Sequence, residues 1–201
     1  MNLPHDELTV LYRVEAMGSD PARLRASVNR ISSKIHARLK QEKDLRQTTL
    51  SRRMEIIWRY DNASRRQVRD GWKLVQRERV TTRRLADAAA WIDAIEKAGG
   101  HLDSLQYGFS EATLHRTRAS LRLQAVADFR KKATELARAL DATSFRILSL
   151  KTTSDRPLPY PIAERAMMKA DAAPSLQAGE GPISVTVSGS ILLPPKDYPV
   201  R

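Results

Sequence analysis

Apolar and polar residues alternate along this chain with two different periods, and the switches between them mark out its elements. Leu8, Val10, Tyr12, Val14 and Ala16 point one way while Thr9, Arg13 and Glu15 point the other, which predicts a half-buried strand. Gly18-Ser-Asp-Pro21 ends it, with Asp20 placed as an N-cap and Pro21 at the first helical position, where its missing N–H costs nothing. Leu24, Val28, Ile31, Ile35 and Leu39 then recur at helical spacing, so the helix runs to about Lys40. Period two returns after Lys43-Asp44, with Met54, Ile56, Trp58 and Tyr60 against Glu55, Ile57 and Arg59. It appears again from Gly71 to Thr82, where Trp72, Leu74, Gln76, Glu78 and Val80 alternate with Lys73, Val75, Arg77, Arg79 and Thr81. The polar stretch Asp61 to Asp70 between these runs reads as the exposed, irregular tip of an antiparallel hairpin.

Thr82 is placed to cap a further helical segment carrying Leu85, Ala88, Ala89, Ile92 and Ile95, which Gly99-Gly100 stops. Leu102 to Phe109 is a short strand, and Ser110 or Thr113 caps the long helix that follows. That helix is expected to bury Ala119, Leu123, Val126, Ala127, Ala133, Leu136, Ala137 and Leu140, and to lead straight into a strand over Phe145 to Leu150. Asp155 to Pro182 holds five prolines and breaks the periodicity, with a short helix predicted over Ile162 to Ala172. Ile183 to Leu193 gives the cleanest alternation of all, and Pro194-Pro195 ends it.

The order implies an α+β fold: a mixed, mainly antiparallel sheet covered by about three helices, with a Pro-rich excursion before the last strand. One domain over residues 1–193 and a tail over 194–201 are expected. The last strand is expected to join the same sheet as the strand near Val10, under the long helix. Two strand-helix-strand units occur, without a residue-level repeat.

Composition alters this picture little. Apolar residues at 41% and charged residues at 29% suit a globular chain. The formal charge of +12 comes mostly from arginine, 25 of the 35 basic residues, but the arginines are spread along the chain. The absence of cysteine excludes disulfides, thiolate metal sites and cysteine nucleophiles. No stretch reaches the ~20 apolar residues that span a bilayer. Met-Asn-Leu-Pro-His-Asp-Glu lacks the basic start and apolar middle of a signal peptide, so an exported protein would need a leader already removed.

The C-terminal third resembles the SIMPL domain family, whose bacterial members are often called YggE-like. The residues that carry the resemblance are Ala125-Val-Ala-Asp-Phe-Arg-Lys-Lys-Ala-Thr-Glu-Leu-Ala-Arg-Ala-Leu140, Ile147-Leu-Ser-Leu150, Ala170-Asp-Ala-Ala-Pro174, Ala178-Gly-Glu180 and Ile183-Ser-Val-Thr-Val187. Gly71-Trp72, Ala98-Gly-Gly100 and Leu105-Gln-Tyr-Gly-Phe109 also fall where that family places such pieces, so the likeness runs from about Leu8 to Leu193. Asp141-Ala-Thr-Ser144 departs from it, standing where the family commonly has glycine after the helix. The resemblance implies a non-enzymatic periplasmic or envelope protein of poorly defined, sometimes stress-related role, acting by self-association or by binding another envelope protein. It carries over no catalytic residue, cofactor or metal.

Side-chain chemistry is sparse. His5, His36, His101 and His115 have no partners at metal-ligand spacing, and Glu78, Asp87 and Glu96 are tied to no second carboxylate by a motif. Met167-Met168 reads as packing rather than a soft-metal site, since adjacent helical residues face different directions. No phosphate-cradling glycine loop or nucleophile elbow is present. The strongest binding candidate is a group of hairpin arginines. Arg59, Arg77 and Arg79 lie on the non-apolar face of their strands, and Arg65, Arg66 and Arg69 lie near the tip. Paired strands would line these up as a basic stripe beside Trp58 or Trp72, suited to phosphate or carboxylate. An anionic polymer is therefore the alternative partner. Nucleic acid is disfavoured because no recognised module is visible. The same charges would also serve to protect a sheet edge.

Overall fold

The computed structural model describes residues 1–154, 160–161 and 178–195. In chain order its elements are β1 (Asn2–Pro4), β2 (Glu7–Gly18), α1 (Pro21–Leu39), β3 (Leu45–Asp61), β4 (Arg66–Thr82), a 3-10 turn (Leu85–Asp87), α2 (Ala88–Lys97), β5 (His101–Gly108), α3 (Glu111–Ala139), β6 (Arg146–Ser154), β7 (Tyr160–Pro161), β8 (Glu180–Pro182) and β9 (Val185–Leu192). The fold is α+β with antiparallel sheets, as the alternating periods imply. The helix expected over Ile162 to Ala172, most of the Pro-rich excursion and the end of the tail lie outside the described residues. The described chain gathers into two compact units: residues 5–108 with 160–161 and 178–179, and residues 1–4 with 109–154 and 180–195.

The first unit is a five-stranded sheet in the order β3-β4-β2-β5-β7. β2 lies between β4 and β5, and its even-numbered residues Leu8, Val10, Tyr12 and Val14 are fully buried. They face α1 and α2, which contribute Leu24, Val28, Ile35 and Leu39, and Ala88, Trp91, Ile92 and Ile95. Leu74 and Val80 of β4 and Leu105 and Tyr107 of β5 complete this core. Asp20 caps α1 by accepting from the Ala22 amide at 2.8 Å, with Pro21 opening the helix. Thr82 does not cap a helix; it ends β4, and its hydroxyl accepts from the Arg84 amide at 3.0 Å.

The hairpin is longer than its sequence pattern predicts. Asp61 to Asp70 is not a loop: Asp61 pairs with Arg66, and only four residues turn the chain. The Asp61 carboxylate accepts from the Ser64 hydroxyl at 2.6 Å and the Ser64 amide at 3.2 Å, closing the turn, while Arg65 takes a left-handed φ of 52°. Gly18 opposite Trp72 is the last pair that β2 makes with β4. Beyond it β3 and β4 continue as a two-stranded ribbon. Gly71 sits at that junction with φ of +155°, where a Cβ would stand 2.9 Å from the Gly18 carbonyl oxygen.

The second unit holds α3, the two-stranded sheet β6-β9, and the short pairing of β1 with β8. Ser110 caps α3, accepting from the Thr113 amide at 3.3 Å. The helix ends in a Schellman arrangement: the Ala142 amide donates to the Ala137 carbonyl at 2.8 Å, and the Asp141 amide to that of Arg138 at 2.9 Å. Asp141 adopts the left-handed conformation, φ 54°, that glycine commonly supplies there. The Asp141-Ala-Thr-Ser144 departure thus keeps the turn and changes only the residue that makes it.

Two expectations fail in this unit. Among the described residues β9 pairs with β6 alone, in a sheet separate from that of β2; alternation marks a strand but does not choose its partner. Nor is the expected stripe of α3 buried as a whole. Ala133 and Ala137 are buried, whereas Leu123, Leu136 and Leu140 are 77%, 61% and 44% exposed. α3 lies over β9 and meets it at Gly189, where an added Cβ would fall 3.1 Å from the Phe129 ring. Strands stand roughly 5 Å apart, so a two-stranded sheet is too narrow to cover every apolar residue of a long helix.

Candidate functional site

The hairpin strands pair, but the pairing divides the predicted arginine stripe in two. Arg59 is opposite Val68, Arg77 opposite Ser51 and Arg79 opposite Thr48. Val68 and Arg77 are nine residues apart along β4, or about 30 Å at about 3.3 Å per residue. Arg59, Arg65, Arg66 and Arg69 therefore belong to the ribbon, and Arg77 and Arg79 to the main sheet. A bulge between Ile57 and Trp58 further interrupts the alternation on which the stripe depends.

Each group is partly neutralised. Arg59 Nε lies 3.2 Å from Asp70, and Arg69 stacks 5.4 Å from the centre of the Trp72 ring. Arg77 reaches Asp103 at 3.9 Å on the face turned away from the helices, where Arg13 also contacts Asp103 and Lys73 reaches Glu15 at 3.0 Å. Burial pushes the Glu15 carboxyl up, but hydrogen bonds from Lys73 and Arg13 outweigh it and hold the group below its ordinary range. Arg65, Arg66 and Arg79 are exposed and form no ion pair among the described residues.

On the opposite, helix-facing side of the same sheet lies an arrangement that sequence reasoning treated only as an isolated carboxylate. Gln76 and Glu78 occupy the inward row of β4 between Leu74 and Val80, and are 8% and 3% exposed. Glu78 accepts from Thr49 Oγ1 at 3.0 and 3.1 Å and from Gln76 Nε2 at 2.5 Å. Gln47 Nε2 donates to the buried Tyr12 hydroxyl at 2.7 Å. Burial, reinforced by the negative Glu78, raises the Tyr12 phenol well above its usual value, against the opposing effect of Gln47. Thr49, Gln76 and Glu78 line a shallow groove of about 520 Å³ beside α1, to which Ser32, His36, Lys40 and Arg52 also contribute. The signal was present in the sequence: two polar residues stand in an otherwise apolar period-two row.

His36 is exposed on that groove, His5 is buried, and His101 pairs in register with Arg13. His115 shares a shallow cleft of about 320 Å³ with Glu111, Arg118, Arg122 and Ser154. Among the described residues no three His, Asp or Glu side chains converge as a metal site. Met167-Met168 lies outside the described residues. No helix among the described residues is long and apolar enough to cross a membrane.

The most exposed apolar element is β6. All nine of its residues are exposed, among them Ile147 at 42%, Leu148 at 57% and Leu150 at 45%. β9 pairs along one edge, and the other edge has no partner among the described residues.

These features define an α+β protein of two packing units that exposes an apolar strand. The model of the SIMPL family, described as a protein of unknown function (DUF541), matches residues 1–191, and the chain belongs to that family. No curated protein matches it.

Proposed function

We propose that this SIMPL protein is a non-enzymatic component of the periplasm or envelope that acts by assembling with further copies of itself, or with another envelope protein. The observation that carries this reading is β6, a strand with three large exposed apolar side chains and one edge that has no partner among the described residues. Its free row of N–H and C=O groups is a template for another strand. An unprotected apolar edge of this length is a liability in a monomer and an asset in an assembly. Leu123, Leu136, Leu140 and Leu192 add exposed apolar area in the same unit. Burying such side chains contributes about 25 cal/mol per Å² before the costs of association.

Light scattering after size exclusion at several concentrations tests the proposal. The expected result is a concentration-dependent oligomer that Leu148→Glu or Leu150→Glu reduces to monomer without loss of secondary structure. A strict monomer at every concentration, together with no captured envelope partner, refutes it.

The second reading is an anion-binding module. It rests on the ribbon, where Arg65 and Arg66 form no ion pair among the described residues and where Trp58 and Tyr60 are also exposed. Binding to heparin or anionic vesicles that weakens with salt and disappears in an Arg65→Ala, Arg66→Ala double variant would favour it over assembly.

A further inference from the structure

Glu78 is a carboxylate that folding has taken out of water without supplying a counter-charge. Its hydrogen-bond donors, Thr49 and Gln76, are both neutral, and no cationic nitrogen lies within ion-pairing distance of it among the described residues. One hydroxyl proton and one amide group leave part of the carboxylate's roughly four acceptor positions unused. A buried charge is normally paired, because its desolvation is otherwise costly.

The surroundings offer what is needed for a ligand to complete the pairing. The groove beside Glu78 carries Lys40 from α1 and Arg52 from β3, both exposed, yet neither bridges to Glu78. Arg52 instead donates to Asn29 Oδ1 at 2.8 Å. Ser32 Oγ, also on the groove, is buried and has no hydrogen-bond partner among the described residues. A buried negative charge and a buried, unused hydroxyl thus line the same groove as two exposed cations. About 520 Å³ falls within the usual range of small-molecule sites.

The geometry points to a binding site for a small zwitterion, with its ammonium on Glu78 and Ser32 and its carboxylate toward Lys40 and Arg52. A simple anion meets repulsion from Glu78, a simple amine leaves the cations unmatched, and a neutral polyol leaves the buried charge uncompensated. Free amino acids and short peptides share the required chemistry. The site lies in a different unit from β6, so its test is separable from that of assembly.

The experiment is a titration of the ¹⁵N-labelled full chain, followed by amide chemical shifts, with L-glutamine and Ala-Ala as zwitterions. Ethylamine, acetate and glucose serve as the partial probes. Saturable shifts at Ser32, His36, Thr49 and Gln76 are expected with a zwitterion, at least tenfold tighter than with ethylamine or acetate. Glu78→Gln should weaken the zwitterion about tenfold or more, the scale of a lost charge-assisted hydrogen bond. Lys40→Ala and Arg52→Ala lie at exposed positions, so they test the same site without disturbing the interior. Each should weaken the zwitterion severalfold and leave ethylamine unchanged. Tighter binding of glutamine than of Ala-Ala assigns a free amino acid, and the reverse assigns a peptide. No saturable shift at about 10 mM zwitterion, where even a Kd of about 1 mM nears saturation, overturns the proposal. Glucose binding as tightly as the zwitterions also overturns it.

Discussion

Replacing Gly71 by alanine puts the junction between sheet and ribbon to a quantitative test. The backbone there has φ of +155°, and the new Cβ would stand 2.9 Å from the Gly18 carbonyl oxygen. That atom belongs to the backbone of β2 at its last pairing with β4, so no side-chain rotation relieves the contact. Holding a Cβ in a glycine-only region costs about 1–3 kcal/mol, and the forced shift adds about 1–3 kcal/mol. The stiffer unfolded chain returns only about 0.4–1 kcal/mol. The net expectation is a loss of roughly 1–5 kcal/mol, centred on about 3 kcal/mol. Urea unfolding followed by tryptophan fluorescence is a suitable assay, because Trp58, Trp72 and Trp91, the chain's three tryptophans, all belong to the unit that contains Gly71. With a slope of about 2 kcal/mol per M the central value lowers the midpoint by about 1.5 M. Gly108→Ala is the internal control: its Cβ would meet nothing within 4 Å and no left-handed φ applies, so it should leave the stability within about 0.5 kcal/mol or raise it slightly. Equal, small effects of the two substitutions would refute the reasoning.

Three further outcomes follow from local geometry. Asp141→Gly, which relieves a non-glycine residue in the left-handed position after α3, should stabilise that unit by roughly 0.5–1 kcal/mol, read from far-ultraviolet thermal melts; a loss of stability would show that the Asp141 side chain matters more than its backbone. The Tyr12 phenol is raised in the folded state, so its contribution is complete below the ordinary value of about 10 and is lost as pH climbs beyond it, when only the unfolded chain gives up this proton easily. Tyr12→Phe should flatten that alkaline fall in stability, although Tyr107, raised by burial, leaves part of it. The lowered Glu15 acts in the opposite sense, stabilising above about pH 4.3 and losing its effect as pH falls, so Glu15→Gln should make the acid limb shallower in denaturation curves.

The sequence makes legible those elements whose burial is one-sided. β2 and α1 follow their patterns almost residue for residue because each has one face on the core, and Asp20-Pro21 marks their boundary chemically. β3 is underestimated for the opposite reason. Gln47, Thr49 and Arg52 occupy its helix-facing positions, so the strand begins at Leu45 with no apolar alternation to announce it. Arg66 to Asp70 likewise pair in a ribbon with little to bury, and hydrogen bonding rather than hydrophobicity holds them in a strand. The α3 stripe fails because periodicity identifies residues that share a face without giving the width of what covers it. Of the candidate site residues, the arginines are on strands as expected, but their spacing depends on register, which no single strand encodes. Gln76 and Glu78 were visible as the polar pair in the inward row; their meeting with α1 was not.

β4 crosses from one kind of neighbourhood to another partway along its length. From Trp72 to Thr82 it has strands on both sides, while from Arg66 to Gly71 β3 alone accompanies it among the described residues, over about 17 Å at about 3.3 Å per residue. Amide protons on this one continuous strand should accordingly exchange with deuterium on two separate timescales, the outer ones through local fraying and the inner ones only when the whole unit opens. Gly71 marks the residue at which that clock changes, which makes the far end of the hairpin an arm able to bend or dock while its root stays shut.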